Sequence, residues 1–276
     1  MYKPIACLSK NMPLVITSHG GRYNPLMRLI DRIDLLARIA FKNVDCLLVD
    51  TQAEKEYFSR ILGDDKRIDL QLTIVGVDFD RFKPLNKERA KEIVRLPSQK
   101  KVILYVGRLY KLKGADIIIQ AFKTLKKKYD VELIMIGYHQ NDPLIKDARA
   151  AGARIIPVIP QEQLVPYYNA ADVFVTASFE ENVVAPGGIG MAPIEALACN
   201  TPVVSPSLRH FPQDDVEKVG KIPQSPEDVA KCIAGILEDP TPYHNCRRVA
   251  RRYYDWKVVV DHLIKIYDKL FSKYYG

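Results

Sequence analysis

Short apolar, β-branched runs recur along the chain at residues 14–18, 46–49, 70–75, 102–106, 131–136, 154–158, 173–177 and 202–205. Each has the length and composition of a strand, and most are separated by a helix-length stretch with apolar residues three and four apart. Near-continuous apolar strands alternating with helices predict parallel sheets covered on both faces, the α/β doubly wound class. Residues 76–99, with Pro84, Pro97 and many charges, break the alternation and read as a linker. Three strands precede it and at least five follow, with a last helical pattern from about residue 242 to residue 274. The expected division is a partial unit over residues 1–85, joined by the C-terminal helix 258–276, and a second unit over residues 86–257. Three parallel strands are few for a domain whose faces and edges all need cover, so the N-terminal unit reads as incomplete.

Composition narrows the class without naming a partner. The 276 residues suffice for a substantial core, and 47% hydrophobic with 27% charged residues is ordinary for a globular protein. Lys and Arg number 41 against 33 Asp and Glu, a formal charge of +8 that suits anionic ligands or an acidic surface. The positive residues are dispersed, with no aromatic-basic stripe, which argues against nucleic acid. The cysteines Cys7, Cys46, Cys199, Cys232 and Cys246 are odd in number and set in apolar segments. They read as reduced core residues, not disulfides or a zinc site, and point to the cytoplasm. No apolar run reaches the roughly 20 residues needed to span a bilayer, so any membrane contact would be peripheral, at the inner face. The stretch 26–41 has apolar residues at helical spacing with Arg28, Arg32 and Arg38, but Asp31 and Asp34 dilute its basic face and favour packing on its own sheet.

Three motifs carry candidate chemistry. Residues 186–205, PGGIGMAPIEALACNTPVVS, read as a glycine-rich loop, a helix with Glu195 in its first turn, and a buried strand. Gly187, Gly188 and Gly190, with Ile189 among them, allow close backbone approach to a ligand, and Pro193 suits a first helical turn. The free N–H groups and positive dipole end favour an anion. Directly after the strand at 102–106 comes Gly107-Arg108-Leu109-Tyr110-Lys111-Leu112-Lys113-Gly114. Arg108 and Lys113 thus sit at the carboxyl edge of a parallel sheet, where such folds bind ligands, and a guanidinium with an ammonium could clamp a diphosphate. At the end of another strand, Thr17-Ser18-His19-Gly20-Gly21-Arg22 presents His19 on a glycine pair. Two further motifs read as structural. Tyr253-Tyr254-Asp255-Trp256-Lys257 is a packing anchor before an amphipathic helix, and Asp78-Phe79-Asp80, which formally matches a metal motif, lies in the linker, so no metal is expected.

Together these residues resemble the family 4 glycosyltransferases of the GT-B fold, retaining enzymes that use a nucleotide-activated sugar. The resemblance covers nearly the whole chain: SHGG at 18–21, Val75-Gly76-Val77-Asp78 with Arg81-Phe82, VGRLYKLKG at 106–114, GGIGMAPIEALACNTPVV at 187–204, and the tryptophan before the last helix. It implies two Rossmann-like units, the first lacking its opening half. It also implies that Gly107, Gly187, Gly188, Ile189, Gly190 and Glu195 hold the donor, with Glu195 accepting from the ribose hydroxyls. Arg108 and Lys113 would neutralise the departing diphosphate, and His19 would lie beside the anomeric region. The substrates implied are a UDP- or GDP-sugar and a glycan or lipid-linked acceptor, with no further cofactor. Gly187 stands where the family pattern has a second glutamate, and Glu180 and Glu181 are the carboxylates that could substitute. A non-catalytic or degenerate nucleotide-sugar-binding subunit, completed by a second polypeptide, is the alternative.

Overall fold

The computed structural model of the chain describes residues 12–18, 41, 43–63, 68–73, 75–179 and 188–275. The chain divides into two compact units, Met1–Val75 with Glu180–Gly188 and Lys257–Gly276, and Gly76–Phe179 with Ile189–Trp256. Every strand pair within each is parallel.

In the first unit β1 (Val15–Thr17), β2 (Cys46–Val49) and β3 (Asp69–Leu72) lie in that order. The unbroken apolar run of β2 is buried on both faces, as alternation of side chains across a strand requires. Leu47 and Val49 meet Phe41 and, from α1 (Gln52–Leu62), Tyr57, Phe58 and Leu62. Cys46 and Leu48 meet Ile266 and Leu270 of the C-terminal helix. Thr51 caps α1, its hydroxyl accepting the Glu54 N–H at 3.1 Å.

The second unit runs α2 (Lys87–Ile93), β4 (Lys101–Val106), α3 (Ala115–Leu125), β5 (Val131–Tyr138), α4 (Ile145–Ala150), β6 (Arg154–Pro157), α5 (Val165–Ala170), β7 (Val173–Val175), α6 (Met191–Ala198), β8 (Val203–Val204), β9 (Gly220–Lys221), α7 (Asp228–Glu238) and α8 (Cys246–Tyr254). Its sheet order is β6-β5-β4-β7-β8-β9. The chain winds outward from β4 to β6, then returns to the other side of β4, so the direction of winding reverses between β4 and β7. At such a reversal the flanking helices diverge and leave a crevice at the carboxyl ends of the two strands. Ile103, Tyr105, Leu133, Met135, Val173 and Val175 form one core face against Ile118, Ile119 and Phe122 of α3 and Val229, Ile233 and Ile236 of α7.

Three features differ from the sequence reading. The linker stretch contains α2, whose first turn is capped by Asn86 accepting the Arg89 N–H at 2.9 Å, so its charges belong to a helix. Strand β9 consists of Gly220 and Lys221, so it leaves no apolar run to read. The last helical pattern is two helices, α8 and α9 (Trp256–Tyr275), divided at Asp255. There the backbone of Val77 intervenes, donating to Tyr254 O at 2.8 Å and accepting from Trp256 N at 3.2 Å. A Cβ on Gly76 would lie 2.8 Å from the Trp256 ring, so the indole seals this junction by lying against bare backbone. Among the described residues no helix is long and apolar enough to cross a membrane.

Arg247 of α8 holds several of these elements together. Its guanidinium donates to Phe79 O at 2.7 Å, to Phe82 O at 2.6 Å and to Ala198 O, a terminal carbonyl of α6, and lies 5.2 Å above the Phe79 ring. Burial pulls its pKa downward, yet a guanidinium stays charged at any ordinary pH. Truncation would strand three carbonyls at once. Arg247→Ala is therefore expected to cost about 2–4 kcal/mol of unfolding free energy. Urea denaturation of the intact chain measures it; an unchanged midpoint would remove Arg247 from this role.

Candidate functional site

The turn after β4 is built around a close backbone approach. Gly107 donates its N–H to Ile136 O at 2.8 Å, and Tyr105 tucks beneath the turn to donate its hydroxyl to Arg108 O at 2.7 Å. A Cβ on Gly107 would stand 2.8 Å from that hydroxyl. Burial pushes the Tyr105 phenol well up, so it remains a donor. Farther along, Lys111–Lys113 form a single three-ten turn that ends at Gly114 with φ of 68°. A Cβ there would come within 1.9 Å of Ala177 O, just beyond β7. The loop after β4 therefore lies directly on the end of β7, at the reversal in winding.

Arg108 is held before any ligand arrives. Its Nε donates to Asp142 at 2.9 and 3.1 Å, and Nη2 donates to the same carboxylate at 2.6 Å and to the Tyr110 hydroxyl. Its guanidinium carbon lies 4.5 Å from the centre of the Tyr110 ring, a cation–π distance. The Asp142 side chain is wholly buried and accepts the N–H groups of Leu109 at 3.0 Å and His139 at 3.1 Å as well. The Arg108 hydrogen bonds are the largest cause that holds this carboxyl well below the usual aspartate range, and the same pairing raises the pKa of Arg108. Lys113 is exposed, and among the described residues its ammonium has no hydrogen bond or ion pair.

The second arm enters from beyond β7. Thr176, after β7, and Ser205, after β8, share a hydrogen bond of 2.6 Å; Ser205 and Ser207 share another of 2.7 Å, and Ser207 donates to Ile189 O at 3.2 Å. This hydroxyl chain ties the start of the α6 loop to the sheet edge. Gly190, at φ of 81°, then turns the backbone into α6 without a side-chain cap, leaving the first N–H groups of the helix open. Glu195 is the fifth residue of α6 and so lies in the second turn, one turn deeper than its sequence position suggested, because the helix begins at Met191. It is 4% exposed and accepts from Gln161 Nε2 and from the Tyr168 hydroxyl, both at 2.6 Å. Burial and this carboxylate raise the Tyr168 pKa, which keeps the phenol a donor. Two donors leave the carboxylate with further acceptor capacity.

The structure thus brings Gly107, Arg108, Lys113, Ile189, Gly190 and Glu195 into the second unit. Gly188 groups with the first unit, where a Cβ on it would lie 3.6 Å from Asp50 O. His19, Glu180, Glu181 and Gly187 lie outside the described residues. Asp78 spends its carboxylate on the N–H groups of Asp80 and Arg81, both at 2.9 Å, and no cluster among the described residues has the donors for a metal ion. Sequence reasoning missed Asp142, Tyr110, Gln161 and Tyr168. The one signal was an acid soon after the strand at 131–136, in a loop bound for the same edge as Arg108. A cavity of about 710 Å³, lined by Lys101, Asp172 and Pro202 among others, opens at the opposite, amino edge and includes none of the candidate residues.

A fixed arginine, an exposed lysine without an ion pair among the described residues and an uncapped helix start, all in the unit with the β4–β7 reversal, are suited to an anionic ligand. Residues 86–253 match the model of the glycosyl transferases group 1 family, and the chain belongs to that family. It is 28% identical over 290 residues to D-inositol 3-phosphate glycosyltransferase of Mycolicibacterium smegmatis, covering 95% of this chain and 63% of the relative. With D-inositol 3-phosphate glycosyltransferase 2 of Catenulispora acidiphila it shares 29% identity over 83% of this chain and 58% of the relative. The chain therefore spans about three-fifths of the length of these curated relatives. Among solved structures it is similar to sucrose-phosphate synthase from Thermosynechococcus elongatus, with a TM-score of 0.74 and 23% identity over 94% of this chain and 68% of that one. It is also similar to Anabaena Alr3699/HepE in complex with UDP and glucose, at 0.73 and 18% over 93% and 71%. The fold is GT-B-like, two α/β units each with a parallel sheet.

Two outcomes follow from this geometry. Gly114→Ala combines a left-handed backbone with a clash against the Ala177 carbonyl, and should lower stability by about 2 kcal/mol or more in urea denaturation. The depressed Asp142 pKa means that its contribution is full above the ordinary aspartate value of about 4 and is lost as pH falls below it. Unfolding free energy should accordingly drop as pH falls from about 4 toward about 2, and Asp142→Asn should show a smaller drop over that interval.

Proposed function

We propose that this chain is a glycosyltransferase that takes a sugar from a UDP- or GDP-sugar and delivers it to a glycan or lipid-linked acceptor with retention of configuration. The observation that carries the reading is the convergence, at the β4–β7 reversal, of Arg108, the unpaired Lys113 and the open start of α6. When the bond between the sugar's anomeric carbon and the diphosphate breaks, negative charge gathers on the departing phosphate oxygens. Fixed donors and a cation already aimed at that position stabilise the charge without a metal and without reorganising at the moment of reaction. Glu195, held by Gln161 and Tyr168, is suited to accept from ribose hydroxyls with its remaining lone pairs. The family membership, the relatives' name and the UDP in the HepE structure support the same reading.

The partners follow from the first unit. Within the described residues β1 pairs only with β2, leaving one sheet edge open, and α9 exposes Val260, Ile264, Tyr267 and Phe271 in a stripe. Both features support a further strand-bearing segment, or a second polypeptide, completing this sheet on the acceptor side. The buried thiols support a reducing cytoplasm: burial pushes Cys46 up to about 11 and Cys199 and Cys246 up to about 12, far from thiolate chemistry.

Calorimetric titration of the intact chain with UDP and with GDP tests the donor site. One of the two should bind, and Arg108→Ala and Lys113→Ala should each weaken binding at least fivefold. A folded chain that binds neither diphosphate, or binds as tightly after both substitutions, overturns the reading. Proton NMR of the product's anomeric centre reports whether configuration is retained.

A further inference from the structure

We infer that Asp142 is the positioning residue for Arg108 and that, by neutralising it, Asp142 leaves Lys113 as the net counter-charge for the donor diphosphate. The inference rests on the nucleotide-sugar reading above.

The carboxylate is anchored independently of the arginine. The N–H of Leu109, from the loop after β4, and the N–H of His139, from the loop after β5, both donate to it, so its place is set by the two strands. A wholly buried anion with two backbone donors still needs a cation, and Arg108 has to come to it. The arginine arrives side-on. Nε and Nη2 are used up on Asp142 and Tyr110, while Nη1 makes no hydrogen bond among the described residues. The Tyr110 ring beside the guanidinium adds a third restraint. The group is therefore already ordered, with one donor edge left over for an anion, and a ligand does not have to immobilise a long flexible side chain. The same pairing cancels the charge. Arg108 with Asp142 sums to zero, so Arg108 acts as an oriented donor, while the three-ten turn keeps its positive charge on Lys113, which we assign to the diphosphate, and on Lys111, neither of which has an ion pair among the described residues.

Opposite signs of effect separate this role from a latch between loops. In the otherwise native chain, Asp142→Asn removes the anchor, because an amide cannot accept from the guanidinium and both backbone groups; UDP or GDP binding should weaken about tenfold. In an Arg108→Ala background the buried carboxylate faces the diphosphate unpaired, so the same Asp142→Asn should strengthen binding at least twofold. Weakening of similar size in both backgrounds would show that Asp142 only braces the loops and would sink the inference while leaving the donor reading intact. A wild-type chain that binds neither UDP nor GDP overturns both. Should Asp142→Asn fold poorly, the Arg108 Nε–H resonance of the wild type, assigned by its loss in Arg108→Ala, gives an independent answer. Slow exchange with water before UDP is added supports the inference; rapid exchange in the free protein overturns it. The charge assignment is tested by salt: the slope of log Kd against log salt concentration should fall more in Lys113→Ala than in Arg108→Ala, and the reverse order overturns it.

Discussion

Everything at the candidate site depends on the parallel pairing of β4 with β5 on one side and β7 on the other. Parallel strands deliver all their following loops to one edge, so residues 34 apart in sequence, Arg108 and Asp142, meet there without any direct instruction in the chain. The register that sets Ile103 opposite both Leu133 and Val173 also sets the heights at which the three loops emerge. The reversal of winding beside β4 then opens a space that two flanking helices would otherwise fill. Gly114 against Ala177 is the sharpest expression of this constraint: only a residue without a side chain lets the basic turn settle on the end of β7.

A second principle governs the polar groups around that edge. Asp142, Glu195 and Arg247 are each satisfied from more than one segment, which is what makes their burial tolerable and what fixes their orientation. Asp142 takes donors from two loops and a side chain; Glu195 takes them from Gln161 and Tyr168; Arg247 gives to three carbonyls on two segments. Lys113 has no such set of partners. Lys111 of the same turn is likewise exposed without an ion pair among the described residues, so this turn holds two cations with interaction still to give.

The sheet strands were legible because a parallel sheet buried on both faces leaves continuous apolar runs, and eight such runs mark eight of the nine strands among the described residues. The turn chemistry was legible too, since Gly107, Gly114 and Gly190 each sit where a side chain or an ordinary backbone would not fit. What was not legible came from contacts between distant segments. Nothing near Asp255 predicts that Val77 will part α8 from α9, and for the partner of Arg108 the sequence offers only an aspartate before Pro143 in a loop bound for the same sheet edge. The depth of Glu195 was misread for a simpler reason. Glycine and proline marked the start of α6 only to within a turn, and one turn separates a first-turn acid at the dipole from a carboxylate sealed beneath it.

That depth changes what Glu195 can do. An exposed acid at a helix start would repel a diphosphate approaching the same N–H groups, working against the anion site beside it. Placed a turn lower, the carboxylate has one oxygen on Gln161 and the other on Tyr168, which fix it while leaving lone pairs to accept further donors. In the proposed donor complex, ribose hydroxyls would meet this acceptor while phosphate oxygens met the N–H groups at the start of the same helix. On the proposed donor reading, that arrangement would let one short helix face both halves of a nucleotide diphosphate, with the buried Tyr168 phenol holding the Glu195 carboxylate in place.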